Sequence, residues 1–260
     1  TGETDSAGAP LIALRREEHS VRLRRQALRG RAGRAATPVS VVLCSRRPHL
    51  VAGALAQIGR QRGVDLEVVV ALHGGGRLAT DGLPYPVQVI EVDAGSSFGE
   101  ALNAAAARAT GDVILKWDDD DWYGSEHVAD LLMARAYSGA EVVGTTAEFF
   151  YLEPLQLTIR RTDYRSEVWT DHVAGGTIMI DRAVFREVGG FQPLPRSVDA
   201  HLLRAVLAAG GRVYRTHGLG YLLRRATAAE HTWQLPLAHF LRVATNQWRG
   251  FRPSRIMDAS

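Results

Sequence analysis

From residue 39 onward, continuous apolar runs alternate with amphipathic stretches. Val39-Ser40-Val41-Val42-Leu43 reads as a strand. A helix is predicted over 48–62, with Leu50, Ala54, Leu55 and Ile58 on one face and Gly63 as its stop. Buried strands follow over 66–72 and 87–92, then a helix over 98–109 whose Ala101, Leu102 and Ala105 suit close packing on a sheet. Gly111-Asp112 turns the chain into a further buried strand, Val113-Ile114-Leu115. Helical spacing returns over 125–137 at Val128, Leu131, Leu132 and Arg135. Strand alternating with helix predicts βαβ units and a parallel sheet.

The second half is less regular. The segments 142–151 and 156–161 flank Glu153-Pro154-Leu155 and are expected to form a hairpin. A short strand over 177–180 leads to a helix through Val188, with Asp181 as its cap and Gly189-Gly190 as its end. Another helix covers 199–209, with Leu202, Leu203, Val206 and Leu207 facing inward. Strands around Val213 and Leu222 precede a C-terminal helix over 236–248, striped by Leu237, Phe240, Leu241, Ala244 and Trp248. At the other end, residues 1–10 are small and polar and are expected to be disordered. Residues 11–34 read as a helix with eight arginines between Arg15 and Arg34 and sparse apolar positions at Leu11, Leu14, Val21 and Leu28. A solvated helix packed on the domain, an interdomain connector, a nucleic-acid contact and an anionic membrane contact all fit that pattern. No aromatic residue interleaves with the arginines, which argues against nucleic acid. The expected organisation is an N-terminal segment, 1–37, and one domain, 38–260.

Composition narrows the class. The 260 residues are 46% hydrophobic and 23% charged, enough for one large core. No apolar run is long enough for a membrane span and no signal-peptide core opens the chain, so a cytoplasmic location is expected, with peripheral membrane contact as the alternative. Thr1 in place of Met points to a processed or trimmed chain. Cys44 is the only cysteine, which excludes an internal disulfide framework and a cysteine-based zinc site. The formal charge is +3, and Lys116 is the only lysine beside many arginines, whose forks suit phosphate.

The candidate chemistry sits in Lys116-Trp117-Asp118-Asp119-Asp120-Asp121-Trp122. Two carboxylates about 6 Å apart repel by about 3 kcal/mol at an effective dielectric of about 20, so a cation or bulk solvent must relieve the run. Its place after a parallel strand favours a ligand site over an acidic surface loop, because open α/β sheets bind ligands at the carboxyl ends of their strands. Side-chain alternation in extended chain puts Asp118 and Asp120 on one face and turns Asp119 away. Such oxygens suit a hard divalent cation that leaves positions open for phosphate. Neither a dinucleotide fingerprint nor a glycine-lysine phosphate loop is present, and His73-Gly74-Gly75-Gly76 is a weak phosphate signal.

Val39 to Leu43, Asn103, the run from Gly111 to Asp121, Gly189-Gly190-Phe191 and Asp199 together resemble glycosyltransferase family 2 enzymes of the GT-A fold, from about residue 39 to 217. The resemblance implies a Rossmann-like, mostly parallel central sheet flanked by helices, with a smaller mixed or antiparallel second half. In that scheme 38–125 is the nucleotide-binding half, 126–235 the acceptor side and 236–260 a C-terminal helix and tail. It also implies inverting transfer of a sugar from a UDP-, GDP- or TDP-sugar to a hydroxyl acceptor, with Mn²⁺ or Mg²⁺ as cofactor. The expected donor-binding residues are Ser45, Arg46, Asp93, Asn103, Asp118 and Asp119. Asp120, the helper Asp121 and His231 form the expected metal group, and Asp199 is the expected general base. A helix N-cap for Asp199 and a structural histidine for His231 are the plainer alternatives. Phe150, Tyr164, Trp169 and Trp233 are candidates for stacking on an acceptor.

Two departures from the family stand out. Leu72-His73-Gly74-Gly75 replaces the usual Asp-Asp-Gly-Ser, which leaves the nucleotide open, and Val198-Asp199 keeps only the aspartate of a Glu-Asp pair. The competing functions are a sugar-phosphate nucleotidyltransferase and a non-catalytic nucleotide-sugar-binding module. The first would want a glycine-rich, lysine-bearing loop where Cys44-Ser45-Arg46-Arg47-Pro48 stands. The second is favoured by the two departures and opposed by Asp118 and Asp120. Nucleic acid is not an expected partner.

Overall fold

A computed structural model describes residues 9–29, 37–226 and 236–257. The chain begins with helix α1 (Ala9–Arg29) and then builds β1 (Val39–Ser45), α2 (Pro48–Ile58), β2 (Leu66–His73), β3 (Val87–Val92), α3 (Phe98–Ala106), β4 (Val113–Trp117), β5 (Trp122–Tyr123) and α4 (His127–Ser138). The second half holds β6 (Val142–Thr145), β7 (Phe149–Leu152), β8 (Leu157–Arg160), β9 (Val168–Thr170), β10 (Met179–Asp181), α5 (Arg182–Glu187), α6 (Val198–Ala208), β11 (Val213–Thr216), β12 (Tyr221–Arg225), α7 (Leu237–Val243) and β13 (Asn246–Arg249).

The main sheet runs β3-β2-β1-β4-β10-β6-β11-β9. Its first four strands are parallel, as the strand–helix alternation predicts, and β10 enters antiparallel to both neighbours. The buried strands alternate between two cores. Val41, Leu43, Leu115 and Trp117 face α2 and α4, while Val42, Cys44 and Ile114 face α3 and α6. Successive parallel strands lie on opposite sides of β1, with β2 on one flank and β4 on the other. The carboxyl ends of β1 and β4 therefore form the switch point at which open α/β sheets bind ligands. A second sheet, β13-β8-β7-β12-β5, forms the smaller, mixed half.

Several expected boundaries shift for identifiable reasons. The first helix starts at Ala9 and is described to Arg29, against an expected 11–34. The helix expected over 48–62 ends at Ile58, and Val51 rather than Leu50 fills its buried face. The segment 142–151 is two strands in different sheets, so the hairpin around Glu153–Leu155 is formed by β7 and β8 alone. Asp181 stands at the start of α5 without capping it, since its carboxylate accepts from Arg135 Nε at 2.6 Å. The left-handed Gly189 and Gly190 (φ 82° and 69°) end that helix region as expected. Leu207 is 36% exposed rather than inward-facing. The C-terminal helix stops at Val243, and Trp248 lies on β13, stacked on Phe149 at 6.1 Å.

Helix α1 is packed on the domain. Leu14 and Val21 join the core of the smaller half, and Glu18 accepts from Ser254 Oγ and the Arg255 N–H, each at 2.9 Å. Arg25 forms a buried fork on Asp130 of α4, and Arg24 pairs with Glu167 at 2.6 Å. Among the described residues no helix is long and apolar enough to cross a membrane.

Candidate active site

Four acidic residues follow β4 immediately, and each is held by a different element. Asp119 is 8% exposed. It accepts from Ser45 Oγ at the end of β1 and from the Arg47 guanidinium, while Ser45 Oγ itself accepts the Arg47 N–H at 2.8 Å. Arg47 also reaches Asp120 at 2.9 Å. The cation that the crowded run requires is therefore an arginine two residues beyond β1. Burial raises the Asp119 carboxyl above its usual range, against the pull of Ser45 and Arg47.

Asp121 turns into the protein. Its two oxygens accept from the Tyr221 hydroxyl and from the Arg224 N–H at 3.0 Å, which ties the acidic turn to β12. Burial, then Asp120 and Asp118, push its carboxyl well up. Beneath the turn, Gln57 of α2 donates to the Asp121 carbonyl at 3.0 Å and accepts the Tyr123 N–H at 2.8 Å. Tyr123 stacks on Trp117 at 3.7 Å; its hydroxyl accepts the Asp118 N–H and donates to the Gly176 carbonyl, both at 3.0 Å.

Asp118 and Asp199 share one cation. Lys116, only 3% exposed, donates to Asp118 Oδ1 at 2.6 Å and lies 3.5 Å from Asp199 Oδ1. Burial alone would lower the lysine, yet Asp118 and Asp199 outweigh it and hold the ammonium above its usual range. Asp199 is the second residue of α6, not its cap; that position belongs to Ser197, held left-handed at φ 61°. Burial raises the Asp199 carboxyl, and Lys116 opposes the rise. The backbone presses on both carboxylates here. A Cβ at Gly175 would lie 2.1 Å from Asp199 Oδ2, and one at Gly176 would lie 2.7 Å from both Asp118 Oδ2 and the Tyr123 hydroxyl.

Ser45, Arg46, Asp118, Asp119, Asp120, Asp121 and Asp199 all border one cleft of about 1330 Å³. Phe150 and Tyr164 border it too, whereas Trp169 stands on β9 beside Tyr214 and Arg212. Arg46 donates to His73 Nδ1 at 3.1 Å, and His73 Nε2 meets the Ser96 carbonyl at 2.9 Å. His73 thus fills the cleft wall where the family's second acidic pair is missing. Asp93 is spent on a turn, accepting the Gly95 N–H at 2.7 Å. Asn103 exchanges two hydrogen bonds with the Phe191 backbone, at 2.7 and 2.9 Å, and pins α3 to the Gly-Gly-Phe turn. Neither residue borders the cleft. His231 and Trp233 lie outside the described residues. Arg47, Gln57, Lys116 and the Gly175-Gly176 pair carry no sequence motif that marks them as site residues, whereas the start of α3 is signalled by an S-x-x-E capping box, Ser97 to Glu100.

Among the described residues, no three His, Cys, Asp or Glu side chains converge into a metal cage. Asp120 borders the cleft, while both oxygens of Asp121 already have donors. The donor set fits a hard cation held by an aspartate and completed by phosphate oxygens, and does not fit one held by protein alone.

A parallel sheet with acidic residues at its switch point, and a further carboxylate across the cleft, defines a class of α/β enzymes that handle nucleotide-linked substrates. The family described as Glycosyl transferase family 2 matches residues 41–202, and the chain belongs to it. It is 28% identical over 166 residues to the "Uncharacterized glycosyltransferase YwdF" of Bacillus subtilis (strain 168), covering 59% of this chain and 60% of that protein. Among solved structures, S. aureus TarS 1-349 in complex with UDP-GlcNAc aligns with TM-score 0.58 and 16% identity over 79% of this chain and 64% of that one. The mannosyltransferase PcManGT from Pyrobaculum calidifontis, in complex with GDP-Man and Mn²⁺, aligns with TM-score 0.57 and 19% identity over 86% and 70%. These likenesses establish the GT-A fold. The chain spans about three-fifths of the length of the curated relative it matches.

Proposed function

We propose that this chain is a metal-dependent, inverting glycosyltransferase that moves a sugar from a nucleoside diphosphate donor to a hydroxyl acceptor. The observation that carries the reading is the pairing of Asp118 to Asp120 at the end of β4 with Asp199 across the same cleft. Asp118 serves the ribose or sugar, and Asp120 is the residue that would hold the ion. When bound, Mn²⁺ or Mg²⁺ would neutralise charge on the departing diphosphate. Arg47, already on Asp119 and Asp120, is placed to pair with a phosphate. Asp199 accepts the proton of the attacking hydroxyl. With Asp199 as the base, the hydroxyl it deprotonates attacks the anomeric carbon directly, so the reading is of a single displacement with inversion. The UDP-GlcNAc and GDP-Man bound by the neighbouring structures make UDP- and GDP-sugars the donors to try first.

A thermal-shift panel of UDP, GDP, TDP and their sugars, with and without Mn²⁺, tests the reading. A metal-dependent shift is expected for one nucleotide, and Asp120→Ala should abolish it. Undiminished Mn²⁺-dependent nucleotide binding in that variant refutes the metal role. Asp199→Asn should slow transfer by roughly two to four orders of magnitude with donor affinity nearly unchanged.

A further inference from the structure

Lys116 is anomalous on its strand. Val113, Ile114, Leu115 and Trp117 are apolar and buried, and Lys116 lies on the same face of β4 as Ile114, toward the core shared by α3 and α6. A methionine would fill that position without desolvating a charge. One partner, Asp118 at 2.6 Å, would suffice to neutralise a buried lysine that served only structure. The ammonium also approaches Asp199, the side chain pressed from behind by the Gly175 backbone, and Asp199 Oδ1 takes no hydrogen bond.

We propose that Lys116 is a positioning residue for the base: clamped between Asp118 and Asp199, its ammonium keeps Asp199 anionic and turned into the cleft. The inference rests on the reading of Asp199 as the base. The groups that act electrostatically on Asp199 are Lys116 and Asp118 at the end of β4 and His172 in the loop leading to Gly175. Of these only Lys116 is a permanent cation in van der Waals reach, so its removal leaves two carboxylates facing each other across a partly closed space. Burial and the Asp118 charge then act on Asp199 without an opposing cation beside it, so Asp199 takes up a proton more readily, and a protonated Asp199 cannot accept one from a hydroxyl.

The chain's single lysine makes the test direct, because selective ¹⁵Nζ labelling yields one resonance. Aspartate ¹³Cγ labelling, with Asp199 assigned by its loss in Asp199→Asn, follows the base itself. In the wild-type protein the lysine signal should inflect at the Asp199 midpoint, and that inflection should vanish in Asp199→Asn. In Lys116→Met or Lys116→Gln the Asp199 midpoint should rise by about one unit or more. The acid limb of nucleotide-sugar hydrolysis, measured with UDP-GlcNAc and GDP-mannose, should move upward with it while donor affinity stays within about threefold. A lysine resonance without that inflection overturns the inference even if neither variant folds, and so does an unmoved Asp199 midpoint in a folded variant. Full donor hydrolysis by Asp199→Asn would instead overturn the base reading, whatever the titrations of Lys116 show.

Discussion

Arg25→Gln separates two roles for the N-terminal helix. In a membrane or nucleic-acid arm its arginines face outward and removing one leaves the fold unchanged. Here Arg25 and Asp130 have side chains only 6% and 5% exposed, joined by bonds of 2.9 and 2.6 Å. His217 Nε2 adds a third contact at 3.2 Å. Burial would raise the Asp130 carboxyl, but His217 and Arg25 hold it below the usual aspartate range. Removing one partner of a buried pair costs about 3–5 kcal/mol. Because His217 remains, the low end, about 3 kcal/mol, is expected, which corresponds to roughly 6–12 °C in Tm for a domain of this size. Calorimetry at pH 7 reads it. The triple replacement Arg25→Met, Asp130→Leu and His217→Leu should recover most of the loss, since apolar side chains then replace the whole buried charged cluster and leave no member of it unpaired. The sign with pH follows from the depressed carboxyl. The pair's contribution is complete above the ordinary aspartate pKa, about 3.9, and fades as pH falls through the folded-state value. A Tm change below about 2 °C for Arg25→Gln, with vesicle binding reduced, would refute the packing argument and restore the membrane arm.

Three further outcomes follow from the same geometry. Arg47→Gln should raise nucleotide-free Mn²⁺ affinity about fivefold, because a partly exposed guanidinium no longer competes for Asp120; free Mn²⁺ measured by electron paramagnetic resonance would show no change if Arg47 were incidental. Gly175→Ala should displace Asp199 and lower donor hydrolysis at least about a hundredfold with nucleotide binding kept, and near wild-type turnover would show that the close approach is tolerated. His127 is buried among Trp117, Tyr123 and Tyr221, and burial pushes its imidazole down to about 3. The unfolded chain therefore binds the extra proton below about 6.5, so stability should fall by about 2 kcal/mol from pH 7 to pH 5, and urea unfolding of His127→Leu should lack that component.

The strands that build the cleft were legible because β1, β2 and β4 are buried on both faces, and burial on both faces writes a continuous apolar run into the sequence. The same signal misled over 142–151. That run begins and ends on β-favouring residues, Val142-Val143 and Phe149-Phe150-Tyr151, yet between them Glu148 places a carboxylate that accepts from Arg160, Ser166 and the Gly218 N–H, and the chain changes sheets there. Those partners are distant in sequence, so no local period announces them. At the C-terminus a helical stripe extended to Trp248 on spacing alone, while the chain gains more by pairing β13 with β8 and stacking Trp248 on Phe149. Asp118, Asp120 and Asp199, which all border the cleft, stood out as candidates because carboxylates at strand ends and after Gly-Gly-Phe are visible one residue at a time. Asn103 was visible in the same way, but its amide is engaged by the Phe191 backbone, a pairing set by how α3 meets the turn.

Lys116 shows what composition hides. Of the 31 lysines and arginines in the chain, one is a lysine, which in a list of percentages reads as a compositional bias toward arginine. Position reverses that reading. A guanidinium is a planar fork that suits one carboxylate held edge-on, as Arg25 holds Asp130 and Arg161 holds Asp163. The space between Asp118 and Asp199 instead presents two oxygens from different elements, at 2.6 and 3.5 Å from a single nitrogen, beneath the Phe98 ring. A compact ammonium with rotatable donors meets both, whereas an arginine of greater length would have to push Asp199 against Gly175, where a single added carbon already falls within 2.1 Å of the carboxylate. Gly175 and the lysine are thus two halves of one constraint on the position of Asp199, one steric and one electrostatic. Lys116→Arg should therefore conserve charge yet behave like Gly175→Ala, losing turnover through displacement of Asp199; an arginine variant with wild-type hydrolysis would show that charge alone, not the size of the cation, sets the site.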